Sequence, residues 1–257
     1  MKIGIIIQAR TDSNRFPKKV LKIINQQPVL WHVINQCKEM NLDIIVATTK
    51  RKKDDPIVKI AKKMKVKFFR GSKNDVLDRY YQTAKKFNLN GIIRITADCP
   101  FIDPKESMKV VKSLKLKKTD YISLDEKTYP DGLDTEGFTF ESLELAWKNA
   151  RLKSEREHVT PYIKNKLKNI KKKNIKYKKN LSHIRLTIDE KEDYELAKTI
   201  FEKFNSKHII CLKDITKMLE NNPKLIEINS KYNRNEGYEK SLNEDKKLEV
   251  NNRFSNI

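Results

Sequence analysis

Cysteine is scarce in this chain of 257 residues, and the three present, Cys37, Cys99 and Cys211, are odd in number and far apart. No histidine accompanies them at zinc-like spacing, which excludes a disulfide framework and a structural zinc site as organising features. Long apolar runs are missing as well: nothing approaches the roughly 20 residues that a membrane-spanning helix requires. The N-terminus lacks the charged start, apolar stretch and small-residue cleavage site of a secretory signal, so a cytoplasmic protein with no membrane partner is expected. Acidic residues number 34 against 56 basic ones, a formal net charge of +22. An excess of that size ordinarily points to nucleic acid. Here the lysines are scattered among Asn and Ile or run together, as at 50–53 and 171–173, with no aromatic platforms between them. That distribution marks a solvated surface, and no nucleic-acid partner is expected. There is also no internal repeat, no Walker loop and no nucleophile triad.

What is present is alternation. Ile3–Ile7 is a continuous β-branched run, the mark of a strand buried on both faces. Helical spacing of apolar residues follows over Pro28–Met40, then a strand at Asp43–Thr48, a helix at Asp55–Met64 and a strand at Val66–Phe69. A helix with Val76, Leu77, Tyr80, Tyr81, Ala84 and Phe87 on one face leads to a fourth strand, Gly91–Ile95. Repeated strand–helix units imply an α/β fold, a mostly parallel sheet with right-handed crossovers and helices on both faces. Ligands in such sheets gather beyond the carboxyl ends of the strands. Further along, helices are expected at Glu141–Ala150, Glu155–Lys168, Glu190–Phe204 and Leu212–Glu220, with strands at Ile175–Tyr177 and Ile184–Ile188.

Three segments carry chemistry. Gln8-Ala9-Arg10-Thr11-Asp12-Ser13-Asn14-Arg15-Phe16-Pro17-Lys18-Lys19 leaves the first strand where a loop faces the expected crevice. Arg10 and Arg15 offer planar forks to phosphate oxygens, Lys19 a point charge and Ser13 a further donor; a solvated basic turn is the plain alternative. The second segment, Arg94–Pro104, sets Asp98 at the end of the fourth strand. A carboxylate there suits Mg²⁺, which takes one or two protein carboxylates beside phosphates and water; the alternative is an ordinary turn aspartate. The third, Arg185–Tyr194, sets Asp189 where a strand gives way to a helix. Asp189 is either a second metal ligand or, with Glu192 three residues on, a helix N-cap.

In order along the chain stand Gln8-Ala9-Arg10 with Ser13, Arg15, Pro17 and Lys19, then Asp75-Val76-Leu77-Asp78-Arg79-Tyr80, then Thr96-Ala97-Asp98-Cys99-Pro100. Asp131-Gly132-Leu133-Asp134, Arg156-Glu157-His158-Val159-Thr160-Pro161-Tyr162 and Leu186-Thr187-Ile188-Asp189 complete the set. From Ile3 to about Tyr238 the chain thereby resembles the spore-coat polysaccharide cytidylyltransferase-like family, related to CMP-KDO and CMP-sialic acid (acylneuraminate) synthetases. The resemblance implies a Rossmann-like, GT-A-like nucleotide-diphospho-sugar transferase fold and a homodimer. It implies a Mg²⁺-dependent nucleotidyltransferase that joins a sugar or sugar acid to CMP from CTP and releases pyrophosphate. Ala9, Arg10, Ser13, Arg15, Lys19, Asp75, Arg79 and Thr96 would bind the nucleotide. Asp98 and Asp189 would hold the metal, with Lys19 the third catalytic group. Asp134, Glu136, Arg156, Glu157 and His158 would face the sugar acceptor. Residues 1–232 would form the catalytic domain, with an acceptor-binding insertion over 121–168, and residues 233–257 a polar tail outside it. The same chemistry with GTP or another nucleotide, a glycosyltransferase-like activity, and non-catalytic nucleotide-sugar binding stay open. Members of the family carry glycine where this chain has Asp12 and Lys18, so a looser approach to phosphate and an opposing charge from Asp12 are expected.

Overall fold

The computed structural model describes residues 1–116, 118–205 and 209–254. β1 (Ile3–Gln8) leads through a small hairpin, β2 (Ile23–Ile24) and β3 (Gln27–Pro28), into α1 (Val29–Lys38). β4 (Asp43–Thr49), α2 (Asp55–Lys63), β5 (Lys67–Gly71), α3 (Val76–Lys86), β6 (Gly91–Thr96) and α4 (Pro104–Lys115) continue the alternation. Then come β7 (Tyr121–Leu124), β8 (Glu136–Thr139), α5 (Phe140–Asn149), α6 (Lys153–His158), α7 (Pro161–Asn165) and β9 (Lys172–Ile175). α8 (Lys191–Lys203), α9 (Leu212–Asn221), α10 (Lys224–Glu227) and α11 (Glu236–Phe254) close the described chain.

Seven strands form one sheet in the order β5-β4-β1-β6-β8-β7-β9. β8 is antiparallel to both neighbours, and the other pairs are parallel. This is the Rossmann-like α/β class expected. β1 has β4 on one side and β6 on the other, so the winding reverses there and a crevice opens beyond the carboxyl ends of β1 and β6. Alternation along the strands feeds two cores. Ile5, Ile7, Val46, Ile93 and Ile95 pack among residues of α1, α2, α4, α8 and α9, whereas Ile6, Ile45, Ala47, Ile92 and Phe138 pack among residues of α3, α5 and α7. Ile5, Ile6 and Ile7 are fully buried, and each such side chain stabilises the fold by roughly 1.5–3 kcal/mol.

Several expectations change. Residues 121–168 are not an excursion, because β7 and β8 extend the main sheet. The helix expected at Glu155–Lys168 is two helices, α6 and α7, broken at Val159 (φ 72, ψ −56). The Thr160 N–H donates to the His158 carbonyl at 2.9 Å, making a γ-turn that is strained for a β-branched residue, and Pro161 then opens α7. Ile184–Ile188 runs extended but is no ladder strand: the Leu186 N–H donates to Asp131 at 2.7 Å and the Ile188 N–H to Asp98 at 2.8 Å, so its amides serve two different segments. The strand expected at Ile175–Tyr177 lies earlier, at Lys172–Ile175. The polar tail is helical as α11 and docks through polar contacts rather than an apolar face; its residues 255–257 lie outside the described residues. Asp245 accepts the Lys153 and Ser154 N–H groups at 2.9 and 3.1 Å, capping α6, and the Tyr238 ring meets His158 edge-on at 5.1 Å.

Candidate active site

The loop after β1 is held by a residue that sequence patterns do not single out. Asp54 is completely buried and accepts from the Thr11 N–H (2.8 Å), the Thr11 hydroxyl (2.7 Å), the Thr49 hydroxyl and the Arg51 guanidinium (3.2 Å). Burial acts to raise its carboxyl, but these donors prevail and hold it below the usual carboxylate range. In the sequence Asp54 is hidden inside a run of charges, 51–55, that reads as solvated.

The Lys18 N–H donates to the Thr11 carbonyl at 3.1 Å, and Lys18 adopts the left-handed region at φ 56. Lys18→Gly is therefore expected to stabilise the protein by up to about 1 kcal/mol, the relief of the Cβ clash less the entropy of the added glycine. A thermal melt would read this as a Tm up to about 2–4 °C higher; a lower Tm would show that the lysine side chain itself holds the loop. Asp12 is not left-handed. Its carboxylate pairs with Arg51 and Lys53, with Lys73 3.6 Å away, so the opposing charge is neutralised locally. Hydrogen bonds from Arg51 and then Lys53 hold it well below the usual carboxylate range. Among the described residues, the backbone N–H groups of 12–15 find no protein acceptor, a run of donors of the kind that receives anions.

Just past the loop, the Lys19 ammonium lies 2.5 Å from Asp98 Oδ2 and 2.5 Å from Asp189 Oδ1. Burial alone would depress the ammonium, but the charges of Asp98 and Asp189 hold it above its ordinary pKa. Burial likewise pushes the Asp98 carboxyl up, and the charge of Lys19 prevails, drawing it down to about 2. Asp189 faces Lys19 because Glu190 is the N-cap of α8 and Asp193, at the third position of the helix, takes up the N–H groups there. Asp193 Oδ2 accepts the N–H groups of Asp189 and Glu190 at 2.9 Å each, while Arg185 (2.9 and 3.1 Å) and Asn229 (2.8 Å) fix Asp193 in turn. The cap reading of Asp189 is thus replaced by one in which its carboxylate is left to the site. Gly132, at φ +98, lets the 131–134 turn press against this segment: a Cβ there would sit 2.5 Å from Thr187 N and 2.6 Å from Leu186 C.

The other candidates lie around this centre with varied partners. Arg15 spreads its nitrogens over Asp189 Oδ2 (2.9 Å), Glu190 Oε1 (3.4 Å) and Glu236 Oε2 (3.1 Å). Arg10 meets Glu157 at 3.2 Å. Ala9 is buried, its N–H on Ala47; Ser13 Oγ accepts the Phe16 N–H at 3.3 Å; Thr96 Oγ1 lies 3.0 Å from Cys99 Sγ. Asp75 caps α3 through the Asp78 N–H (2.8 Å) and takes Arg156 Nε at 2.9 Å. Arg79 is 1% exposed, donates to the Ser72 carbonyl at 2.8 Å, and has no carboxylate partner among the described residues. Its Nε is unpaired, and burial lowers its pKa to about 10. His158 Nε2 lies 3.1 Å from Ser241 Oγ, and burial drops its pKa to about 4, leaving a neutral ring. Asp134 is held by Arg234, which also donates to the carbonyls of Glu126 and Tyr129 at 2.7 and 2.9 Å.

Glu136 does not face a ligand. It is buried in β8, and its carboxylate takes Arg94 (2.5 Å), Tyr121 (2.5 Å), Thr160 (2.9 Å) and Lys164 (2.9 Å). Its oxygens are consumed in tying the sheet to α7, which gives it a structural role in place of the expected sugar contact. Asp54, Asp193, Arg234 and Glu236 are the residues that sequence reasoning missed; Asp193 stood at capping-box spacing from Glu190, whereas Arg234, Glu236 and the Thr11 contact of Asp54 join segments remote in the chain.

A protein-family model described as cytidylyltransferase matches residues 4–229. The chain is 40% identical over 235 residues to an uncharacterized protein of Methanocaldococcus jannaschii, covering 90% of this chain and 95% of that one. It is 30% identical over 230 residues to the spore coat polysaccharide biosynthesis protein SpsF of Bacillus subtilis, covering 86% and 95%. Among solved structures, a cytidylyltransferase from Leptospira borgpetersenii matches with a TM-score of 0.85 at 33% identity, covering 91% of this chain and all 100% of that one.

Proposed function

This chain belongs to the cytidylyltransferase family, and from that premise we propose that it transfers CMP from CTP to a hydroxyl of a sugar or sugar acid for surface polysaccharide or glycan assembly. The acceptor oxygen bonds to the α-phosphorus as the bond to the departing pyrophosphate breaks. The observation that carries the proposal is the convergence of Asp98 and Asp189, remote in sequence, on the Lys19 ammonium beside a cationic loop with free amides.

Arg10, Arg15 and the loop amides bind the triphosphate, and Lys19 meets the charge that gathers on the leaving group. Much of the acceleration comes from holding the two substrates in line. The donor set fits Mg²⁺: two hard carboxylates meet at one cationic position, and phosphate and water complete such a shell. Asp98 and Asp189 would hold the ion, which when bound neutralises phosphate charge.

Pyrophosphate release is expected from CTP with a responsive member of a panel of activated-sugar precursors, falling to background in EDTA and slower with GTP or UTP. Release that is fastest with another nucleotide would reassign the donor. No release with any nucleotide across the panel would remove the activity.

A further inference from the structure

One loop arginine, Arg15, is engaged by the C-terminal helix, and the other, Arg10, by α6, on which that helix docks. Glu236 Oε2 takes Arg15 at 3.1 Å. Glu157 takes Arg10 at 3.2 Å through one oxygen, and its other oxygen lies 3.4 Å from the Ser241 hydroxyl, whose single proton has the Gly237 carbonyl and His158 Nε2 nearer, at 3.1 Å each. Glu236 and Ser241 both lie on α11, beyond the residues 4–229 that the family model matches. Their helix has anchors of its own in the Asp245 cap on α6 and the Tyr238–His158 contact, and Arg234 ties the preceding turn to Asp134.

We infer that Glu236 on α11 sets the affinity for the nucleoside triphosphate, by holding Arg15 against the phosphate oxygens that would otherwise take it. The inference rests on the proposed function, which gives both arginines to the triphosphate. A guanidinium presents its donors in one planar fork, so a carboxylate already seated in the fork competes with an arriving phosphate. Reciprocity follows: whatever loosens α11 tightens nucleotide binding, and nucleotide binding loosens α11.

Glu236→Gln keeps the side-chain shape and an oxygen for the Asn233 N–H while removing the charge on Arg15. Calorimetry with CTP and Mg²⁺ is expected to give a Kd lower than wild type by about 2- to 5-fold, the range of a half-exposed ion pair. Glu239→Gln makes the same charge change on the same helix at an exposed position with no ion pair to the loop, and its Kd should stay at the wild-type value. In the wild type, CTP should speed backbone hydrogen exchange over 236–247. Equal tightening in both variants would reduce the effect to general charge and overturn the inference. An unchanged or weaker Kd in Glu236→Gln, or exchange in α11 that CTP leaves alone or slows, would overturn it while the proposed function stands. Failure of the wild type to bind CTP would remove both.

Discussion

Asp98→Asn is expected to lower pyrophosphate release by about 10²–10³-fold, the scale on which single preorganised charges act at reacting phosphates and carbonyls. The substitution keeps the side-chain volume and leaves the backbone untouched, including the Asp98 carbonyl that accepts the Ile188 N–H at 2.8 Å. What it removes is one of two negative charges that meet at Lys19. Stability should fall as well, because the buried ammonium loses half of its compensation. The surviving pair with Asp189 and the amide oxygen of the new side chain keep that loss below about 3 kcal/mol. Circular dichroism and a melting curve would establish that the variant is folded under assay conditions, and turnover is then read on folded protein. Wild-type turnover by a folded variant would show that the centre of the site lies elsewhere.

Gly132→Ala should be the most damaging substitution away from the charged cluster. The added Cβ would lie 2.5 Å from Thr187 N and 2.6 Å from Leu186 C, which are backbone atoms with no rotamer to move, at a φ of +98 that L side chains rarely adopt. Relief requires shifting the 184–188 run, which carries Asp189 at its end and whose amides bond to Asp131 and Asp98. A stability loss of about 3 kcal/mol or more is expected, combining the clash with the strained backbone. Activity should fall further than the unfolded fraction explains, since Asp189 moves with the segment. Denaturant unfolding and turnover below the transition would test both parts. A midpoint equal to wild type would mean that the two segments do not press together as described.

The sheet and its helices were legible because burial on both faces leaves a local signature: Ile3–Ile7 carries no polar residue, Gly91–Ile95 only Arg94, and the helix faces recur at 3.6-residue spacing. Asp98 and Asp189 stood out from their places before a helix, and the family resemblance joined them with Lys19 in one site. Most of what escaped depended on partners distant in the chain. Asp54 sits in a charge run yet is buried, because Thr11 and Thr49 arrive from other segments to satisfy it. Glu136 follows a family-like motif closely, but the sheet register sets it opposite Arg94, which claims it for the core. The break at Val159 had a local signal that the helical reading overrode: Pro161 cannot continue an α-helical ladder and starts a new helix, after the γ-turn in which Thr160 N–H bonds to the His158 carbonyl. α11 has few apolar residues, so composition read it as loose, whereas capping and ion pairs dock it.

β9 has a bearing on how this protein behaves in a crowded solution. It is the last strand of the sheet, and its far side offers unpaired amides and carbonyls to any other extended chain. Lys172 and Lys173 occupy that border and are exposed. The Lys172 ammonium is turned back to the carbonyls of Lys164 and Leu167 at 2.7 and 2.9 Å, so a second molecule that aligned its own β9 there would meet the free charge of Lys173. Lysine on an edge strand opposes edge-to-edge pairing, and Lys173 places one there.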